Sequence, residues 1–308
     1  MKKTILFGAG EGCKNYIKNG TAKRNFIAIV DNDKDRWGSF FENIKIIDPS
    51  TIKEFEFDEI VITTQWIDEV KKDLLKLGID EKYIKIPQKR LLKKISPFLD
   101  AKTRESAAII LKHMAKTAYK DGVELFVDSG TLLGIIRDDG ILPWDDDIDF
   151  SFDITKEKNK KFDILHWAKE SIKKIPLHVK CQAIVTTDKN DKVVDISFDF
   201  YDNVEPFRVA INIRENKNGN SVEIARLGLF YAPAKFFSYP ELYNWQDVTL
   251  QVPNHYEEYL EFVYGDWKTP KKNISLADYN HTGEVKFEDF KKVAFKQTKE
   301  EIIINNEK

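Results

Sequence analysis

Four aspartates lie within residues 145–149, and apolar residues flank them on both sides. Because side chains of a β-strand point alternately to its two faces, a strand here sorts these residues by type. One face would hold four polar residues: Asp145, Asp147, Asp149 and Ser151. The other face would be apolar, with Ile148, Phe150 and Phe152. The pattern predicts a strand with a buried core face and an acidic open face, which limits the fold to one with a β-sheet in this region.

Carboxylates placed side by side on a largely buried strand repel one another unless a positive charge lies between them. A divalent cation is the simplest solution, and hard oxygen ligands suit Mg²⁺ or Mn²⁺. The candidate ligands are Asp147 and Asp149, with Asp145 as a ligand or a support for one. Asp146 would point to the opposite face and is a weaker candidate. The alternative is an acidic surface turn, the usual role of charge runs.

A polar turn just upstream adds a second feature to this region. Ser129, Gly130 and Thr131 follow an apolar strand and precede a short helix that runs to Arg137. Backbone N–H groups and hydroxyls at the N-terminus of a helix suit a phosphate, although the same residues also fit an ordinary capped turn. A phosphate cradle beside a metal site is what phosphoryl transfer requires. Trp144 is the neighbouring candidate for substrate contact.

The first third of the chain alternates apolar runs, at residues 4–7, 26–30 and 59–63, with segments of helical spacing. Such alternation predicts a parallel sheet with helices, an α/β domain. Gly8 and Gly10 follow the first strand and Asp31 ends the second, which is the context of a dinucleotide-binding fingerprint. Cys13 stands where that fingerprint has its third glycine. Nucleotide binding and a structural or docking role both remain open for this domain.

From residue 103 a helical pattern continues to Gly122, and later segments alternate as antiparallel strands do. This second part of the chain is predicted to be α+β. We place the domains at residues 1–95 and 96–285, followed by a polar tail at 286–308 that is expected to be irregular after Gln297.

Composition excludes several classes of protein. A chain of 308 residues with 42% hydrophobic and 12% aromatic residues is long and apolar enough to fold into two domains. A net charge of -2 gives no reason to expect a nucleic-acid partner. Two distant cysteines, Cys13 and Cys181, fit a reducing compartment, and no segment has the apolar length of a transmembrane span. We expect a cytoplasmic protein, or one held at the inner face of a membrane.

The two motifs of the second part together resemble the signature of the LicD/fukutin family of phosphotransferases. In that family a Ser-Gly-Gly-Thr-Leu-Leu-Gly-like turn precedes an Ile-Pro-Trp-Asp-Asp-Asp-Ile-Asp stretch. Here the corresponding segments are residues 128–134 and 142–149. Residues 252–254, 258–260 and 264–267 resemble a motif near the C-terminus of the family's domain. The resemblance spans about residues 101–279, and the first domain resembles Rossmann-like modules attached to polysaccharide-modifying enzymes.

This resemblance implies a nucleotidyltransferase-like fold and an enzyme that transfers a substituted phosphate, such as phosphocholine, phosphoethanolamine or a polyol phosphate. The donor would be CDP-linked, CMP would leave, and the acceptor would be a cell-surface glycan precursor of capsule, lipopolysaccharide or teichoic acid. By analogy Asp147 and Asp149 would bind the metal, with Gly130 and Thr131 at the donor phosphates and Ser129 and Arg137 helping to position them.

The family also has a third carboxylate on a later strand. Asp195 is the nearest match, with Asp199 on the same face, but the strand at 207–214 competes for that place and offers Asn212 instead. Two alternatives to the phosphotransferase remain. One is a nucleotide- or nucleotide-sugar-binding regulatory protein that acts through its first domain, and the other is a transferase of whole nucleoside monophosphates.

Overall fold

The computed structural model describes residues 1–19, 24–92, 96–156, 162–270, 293 and 295–304. The chain divides into two compact units, one that includes Met1–Ile95 and one that includes Ser96–Pro270. Among the described helices, none is both long and apolar enough to cross a lipid bilayer.

The first unit is built on a six-stranded sheet. Its strands are β1 (Lys2–Phe7), β2 (Arg24–Val30), β3 (Phe40–Phe41), β4 (Ile44–Ile47), β5 (Glu59–Ile62) and β6 (Ile84–Lys85). The helices are α1 (Glu11–Asn19), α2 (Ile67–Lys76) and α3 (Lys89–Leu92). The strand order is β3-β4-β2-β1-β5-β6, and every neighbouring pair is parallel except β3 and β4. This order confirms the predicted Rossmann-like α/β fold.

Apolar residues cover both faces of this sheet, as the continuous apolar runs predict for parallel strands. On one face Ile5 of β1 packs in a cluster with Leu74 of α2. On the other face Leu6, the next residue, packs with Cys13 and Tyr16 of α1. Successive residues of one strand thus contribute to two cores, and helices lie on both sides of the sheet.

The second unit is α+β, as predicted. Its helices are α4 (Ala101–Asp121), α5 (Ser129–Asp138), α6 (Ile164–Ile172) and α7 (Tyr256–Tyr264). Its strands are β7 (Phe126–Val127), β8 (Asp147–Asp153), β9 (Lys180–Thr187), β10 (Val193–Tyr201), β11 (Phe207–Lys217), β12 (Asn220–Glu223), β13 (Tyr231–Pro233), β14 (Glu241–Trp245), β15 (Val248–Val252) and β16 (Lys296–Ile302).

Helix α4 has clear start and stop signals in the sequence. Asp100 is its N-cap and accepts a hydrogen bond of 2.7 Å from the backbone N–H of Thr103. Gly122 ends the helix in the left-handed region, with φ of 69°. The predicted apolar face is buried: Ala107, Ile110, Leu111, Met114, Ala115 and Ala118. The helical prediction from residue 103 to Gly122 is confirmed.

The large sheet of this unit brings distant segments together. Strand β8 pairs with β7 on one side and, in parallel, with β11 on the other. Beyond β11 the order continues with β10, β9 and β16, all antiparallel to their neighbours. The core face of β8, β11 and β10 is fully buried: Ile148, Phe150, Val209, Ile211, Ile196 and Phe198. The predicted alternation in β8 and β10 is confirmed.

The end of the chain differs from the expectation. An irregular tail was predicted after Gln297, but Lys296–Ile302 forms β16 at the edge of the sheet. It pairs antiparallel with β9, with Ile302 opposite Cys181. The polar composition that suggested a tail is typical of an edge strand, whose outer side faces solvent.

Candidate active site

The face of the sheet opposite the core is polar across β8, β11 and β10. In-register neighbours share a face, and Asp147 pairs with Arg208, while Arg208 pairs with Asp199. Four residues further along each strand, Ser151 pairs with Asn212 and Asn212 with Asp195. We call this surface the open face. It carries Asp147, Asp149, Arg208, Asn212, Asp195 and Asp199.

Three carboxylates lie next to one another where the chain enters β8. Oxygen atoms of Asp145, Asp146 and Asp147 all lie within 4.8 Å of one another, and the three side chains are partly exposed. The prediction that Asp146 points away from this group is wrong. Strand β8 begins only at Asp147, so strand alternation does not apply to Asp145 and Asp146, which lie in the preceding turn. Their donor set of hard oxygens fits a divalent cation.

Asp149 stands further along β8 in a less solvated place. Burial raises the pKa of its carboxyl well above the usual value, and the carboxylates of Asp147 and Asp145 raise it further. The side-chain amide of Asn212 donates a hydrogen bond of 3.3 Å to Asp149 Oδ1. A cation bound among these carboxylates would offset their mutual repulsion.

We call residues 145–147 the acidic turn. Gly130 allows this turn to approach helix α5. A Cβ atom at Gly130 would lie 2.3 Å from Oδ2 of Asp145, so only glycine leaves room for that carboxylate. Asp145 thereby lies over the first turn of α5, where the helix dipole favours a negative group. The structure therefore brings together Gly130, which was expected to contact the donor phosphates, and Asp145, which was expected to bind the metal or support a ligand.

The other residues of the turn make contacts within the protein. Ser129 has a positive φ of 54°, and its N–H donates to Asp128 Oδ1 at 2.7 Å. Thr131 is only 2% exposed, and its hydroxyl accepts a hydrogen bond of 2.9 Å from the backbone N–H of Asp149. Through this bond Thr131 fixes α5 against β8. Its contact with a substrate stays a prediction, while the structure gives it a positioning role.

Arg137 is separated from these residues. It lies in the last turn of α5, about 12 Å along the helix axis from Ser129. Its Nη2 atom bonds Asp138 at 2.8 Å, and its Nη1 atom donates to the carbonyl of Trp267 at 3.3 Å. The structure therefore does not bring Arg137 to the turn at which it was expected to hold phosphates.

The place next to β8 is taken by β11, the alternative that the sequence left open. Asn212 of β11 contacts Asp149, whereas Asp195 lies on β10, one strand further away and opposite Asn212. Burial raises the pKa of Asp195 to about 6, against the lowering effect of Arg226 and Arg208. Asp195 is thus on the open face, but β11 lies between its strand and β8.

Arg208 is a site residue that the sequence reasoning missed. It lies between Asp147 and Asp199 in the strand register and bonds both oxygens of Asp199, at 2.6 and 3.0 Å. The signal was available, since polar residues recur at positions 208, 212 and 214 of a segment, residues 207–214, that is otherwise apolar. Trp144, named as a substrate contact, is 54% exposed beside the acidic turn and is open to a ligand.

A buried polar network beneath the site was also missed. The carboxylate of Asp128 accepts hydrogen bonds from Ser151 Oγ at 2.5 Å and from the hydroxyl of Tyr259. Arg214, 2% exposed, contacts Asp128 at 3.4 Å and Glu223 at 3.1 Å. Burial alone would lower the pKa of Arg214, but the carboxylates of Glu223 and Asp128 outweigh it and raise the pKa. This network ties α7, β8 and β11 to the residue that precedes the Ser129 turn.

The first unit also brings its predicted residues together. Oδ2 of Asp31 accepts a hydrogen bond of 2.8 Å from the N–H of Ala9, inside the glycine-rich loop. Gly8 has φ of 101°, which favours glycine, and a Cβ at Gly10 would meet nothing within 4 Å. Cys13 is fully buried, and burial raises its pKa to about 12. Asp31 thus supports the loop from within the protein, and nucleotide binding at Gly8, Gly10 and Asp31 stays a prediction.

Family models match two parts of the chain. Residues 122–255 match the model described as LicD/FKTN/FKRP, nucleotidyltransferase domain. Residues 1–85 match the model described as C2185-like, N-terminal. No curated protein matches the sequence.

Several solved structures have a weak likeness to the chain. A UDP-D-quinovosamine 4-dehydrogenase from Vibrio fischeri is 18% identical, with a TM-score of 0.22, over 28% of this chain and 75% of that one. RSP, a Rex-family repressor, is 17% identical, with a TM-score of 0.23, over 28% of this chain and 52% of that one. A Gfo/Idh/MocA family oxidoreductase from Vibrio cholerae is 10% identical, with a TM-score of 0.22, over 90% of this chain and 85% of that one.

These scores are low, so the Rossmann-like assignment of the first unit depends on its own parallel strand order. For the second unit, the matched range includes the Ser129 turn, the acidic turn, β8, β10 and β11. The second unit therefore contains a LicD/FKTN/FKRP nucleotidyltransferase domain, indicative of phosphate transfer, and a C2185-like N-terminal domain precedes it in the sequence.

Proposed function

We propose that the second unit transfers a substituted phosphate from a CDP-linked donor to a hydroxyl of a cell-surface glycan precursor and releases CMP. The observation that carries this proposal is the group of three carboxylates, Asp145, Asp146 and Asp147, beside Asp149 at the start of β8. The group transferred would be phosphocholine, phosphoethanolamine or a polyol phosphate.

We infer that Mg²⁺ or Mn²⁺ binds at this turn. Asp147 and Asp149 would hold it, with Asp145 or Asp146 completing the set, and all four offer the oxygen ligands that such ions prefer. The pKa of Asp149 is raised first by burial and then by the carboxylates of Asp147 and Asp145, and a bound cation would offset that repulsion. When bound, the ion supplies positive charge that neutralises the phosphate oxygens of the donor.

The residues of the open face fit the remaining steps. In the transfer, the acceptor oxygen forms a new bond to phosphorus and the bridging P–O bond to CMP breaks, so that CMP leaves with the bridging oxygen. The proton of the acceptor hydroxyl passes to a carboxylate, and Asp195 suits this role because burial raises its pKa to about 6, near neutral pH. The exposed ring of Trp144 is placed to stack on the donor or acceptor.

The first experiment is a calorimetric titration of the full chain with CDP, UDP and NAD in the presence of Mg²⁺, repeated with EDTA. We expect Mg²⁺-dependent binding of CDP that is lost in Asp149→Asn and kept in Asp202→Asn, a control at an exposed turn. If NAD or UDP binds instead, and neither EDTA nor Asp149→Asn affects it, the proposal fails and the first unit becomes the functional centre.

A second experiment tests the reaction itself. A panel of CDP-alcohols is incubated with candidate glycan acceptors, and the mass added to the acceptor is measured. Addition of the substituted phosphate, lost in Asp147→Asn with folding intact, is the expected result. Addition of a whole nucleoside monophosphate would assign the chain to the other class of transferase.

A further inference from the structure

Arg208 is the basic residue placed next to the acidic turn by the strand register. It faces Asp147 of β8 on one side and Asp199 of β10 on the other, all on the open face. Neighbouring strands of a sheet lie about 5 Å apart. A positive group therefore stands within side-chain reach of the carboxylates that would hold the metal.

The geometry of the Arg208–Asp199 pair leaves part of the guanidinium available. Nε donates to Asp199 Oδ1 at 2.6 Å and Nη2 to Oδ2 at 3.0 Å, so two of its five N–H groups are used. Within the part of the chain that the structure describes, Nη1 makes no hydrogen bond. The edge formed by Nη1 and Nη2 can therefore make two parallel bonds to another anion, a geometry that matches phosphate oxygens.

Exposure and charge agree with this role. The Arg208 side chain is 48% exposed and that of Asp199 is 36% exposed, so a ligand can approach the pair from solvent. The hydrogen bond that Arg208 donates to Asp199 raises the pKa of Arg208, and the negative charges of Asp195 and Asp147 add to that effect, so the guanidinium remains charged. An ion pair this exposed adds little to folding stability.

We propose that Arg208 binds a phosphate group of the donor, and that Asp199 is a positioning residue that holds the guanidinium plane toward it. This inference rests on the proposed function, because it takes a nucleoside diphosphate as the ligand. Arg208 supplies at the open face the cation that Arg137, at the far end of α5, does not.

The test is calorimetry of the full chain with two probes, CDP and inorganic pyrophosphate, each with Mg²⁺. Arg208→Gln is expected to weaken both by about tenfold to a hundredfold, the range for a lost charge-assisted contact. Arg208→Lys keeps the charge without the planar fork and should give an intermediate loss. Lys217→Gln, at an exposed position of the same strand, is the matched control and should bind as the parent does.

Asp199 is tested by rescue. Asp199→Asn should lower the affinity for both probes several-fold. Asp199→Glu, which keeps a carboxylate, should recover part of that lost affinity. Melting temperatures of all these variants should equal that of the parent, because the pair is half-exposed. If Asp199→Glu binds no better than Asp199→Asn, the positioning role is overturned.

The outcomes separate the two proposals. Unchanged binding in Arg208→Gln, with binding lost in Asp149→Asn, overturns the role of Arg208 and leaves the proposed function standing. Binding of pyrophosphate but not CDP by the parent, lost in Arg208→Gln, supports Arg208 and overturns the CDP donor. If the parent binds neither probe, both proposals fail.

Discussion

The hydroxyl of Tyr259, in α7, donates a hydrogen bond to the carboxylate of Asp128, the residue before the Ser129 turn. Both side chains are buried, and 131 positions of sequence separate them. Burial raises the pKa of Tyr259 well above its usual value, and Asp128 adds to that rise, so the phenol stays protonated as the donor. Residues 258–260 form part of the late motif in the sequence. Through Tyr259 this motif holds Asp128 in place at the base of the site.

Replacing Tyr259 with phenylalanine removes this donor and nothing else. We expect the free energy of unfolding to fall by about 1–3 kcal/mol, because a buried carboxylate loses one of its partners. Urea denaturation of the two proteins measures the difference. Tyr119→Phe, on an exposed part of α4, is the control and should be close to neutral. Equal stability of Tyr259→Phe and the parent would contradict the assignment.

Arg214→Met tests the buried ion network. The substitution leaves Asp128 and Glu223 buried without their shared cation, and such a loss costs about 3–5 kcal/mol. Lys217→Met removes an exposed ion pair on the same strand and should cost less than about 1 kcal/mol. Both values come from urea denaturation, and similar costs for the two variants would show that the network is not essential for stability.

The titration of Glu223 should make the free energy of unfolding depend on pH. Burial raises its pKa to about 6, whereas an unfolded glutamate has a pKa of about 4.3. Between these values the folded protein binds more protons than the unfolded chain, so the free energy of unfolding falls as the pH rises. Asp195, with its raised pKa, acts in the same direction.

Glu223→Gln removes one of these two contributions. Its free energy of unfolding should therefore fall less between pH 4 and pH 6.5 than that of the parent, by about 2 kcal/mol. Urea denaturation at several pH values in this range measures both slopes. An identical slope in the two proteins would mean that Glu223 titrates normally.

Gly130→Ala should disturb the acidic turn without unfolding the protein. The added Cβ would come within 2.3 Å of Asp145 Oδ2, so that carboxylate must move away from α5. We expect Mg²⁺ affinity to drop about tenfold, a change typical of a displaced metal ligand or support. Gly140→Ala, where a Cβ would meet nothing within 4 Å, should bind Mg²⁺ as the parent does. If calorimetry gave the same Mg²⁺ affinity for Gly130→Ala and the parent, Asp145 would have no part in metal binding.

In the first unit, Gly12 and Gly10 make a matched pair. A Cβ at Gly12 would lie 2.4 Å from the carbonyl oxygen of Thr63, which forces α1 away from the sheet, whereas Gly10 has open space. Gly12→Ala should lower stability by about 1–3 kcal/mol, and Gly10→Ala should be near neutral. Hydrogen exchange of α1 and β5 measures the local effect. Strong protection in Gly12→Ala would contradict the close packing.

Much of this protein follows from local sequence patterns. The alternation at 147–153 and 193–201 gave the correct faces, because a strand has a period of two residues whatever it pairs with. The cap at Asp100 and the glycine at 122 bounded α4. Local geometry also separates Arg137 from Ser129, since a helix of this length puts its ends far apart.

The order of the strands in the sheet depends on pairing between segments that are distant in sequence. The alternation of polar and apolar residues along one strand does not specify which strand lies beside it. Because β11 pairs with β8, Asn212 contacts Asp149, Arg208 stands beside Asp147, and Asp195 is displaced to the next strand. The bonds from Tyr259 and Arg214 to Asp128 likewise depend on packing between distant segments. The sequence determined which residues are polar on each strand. Only the tertiary structure decided which of them meet, because backbone pairing and burial act between residues far apart in the chain.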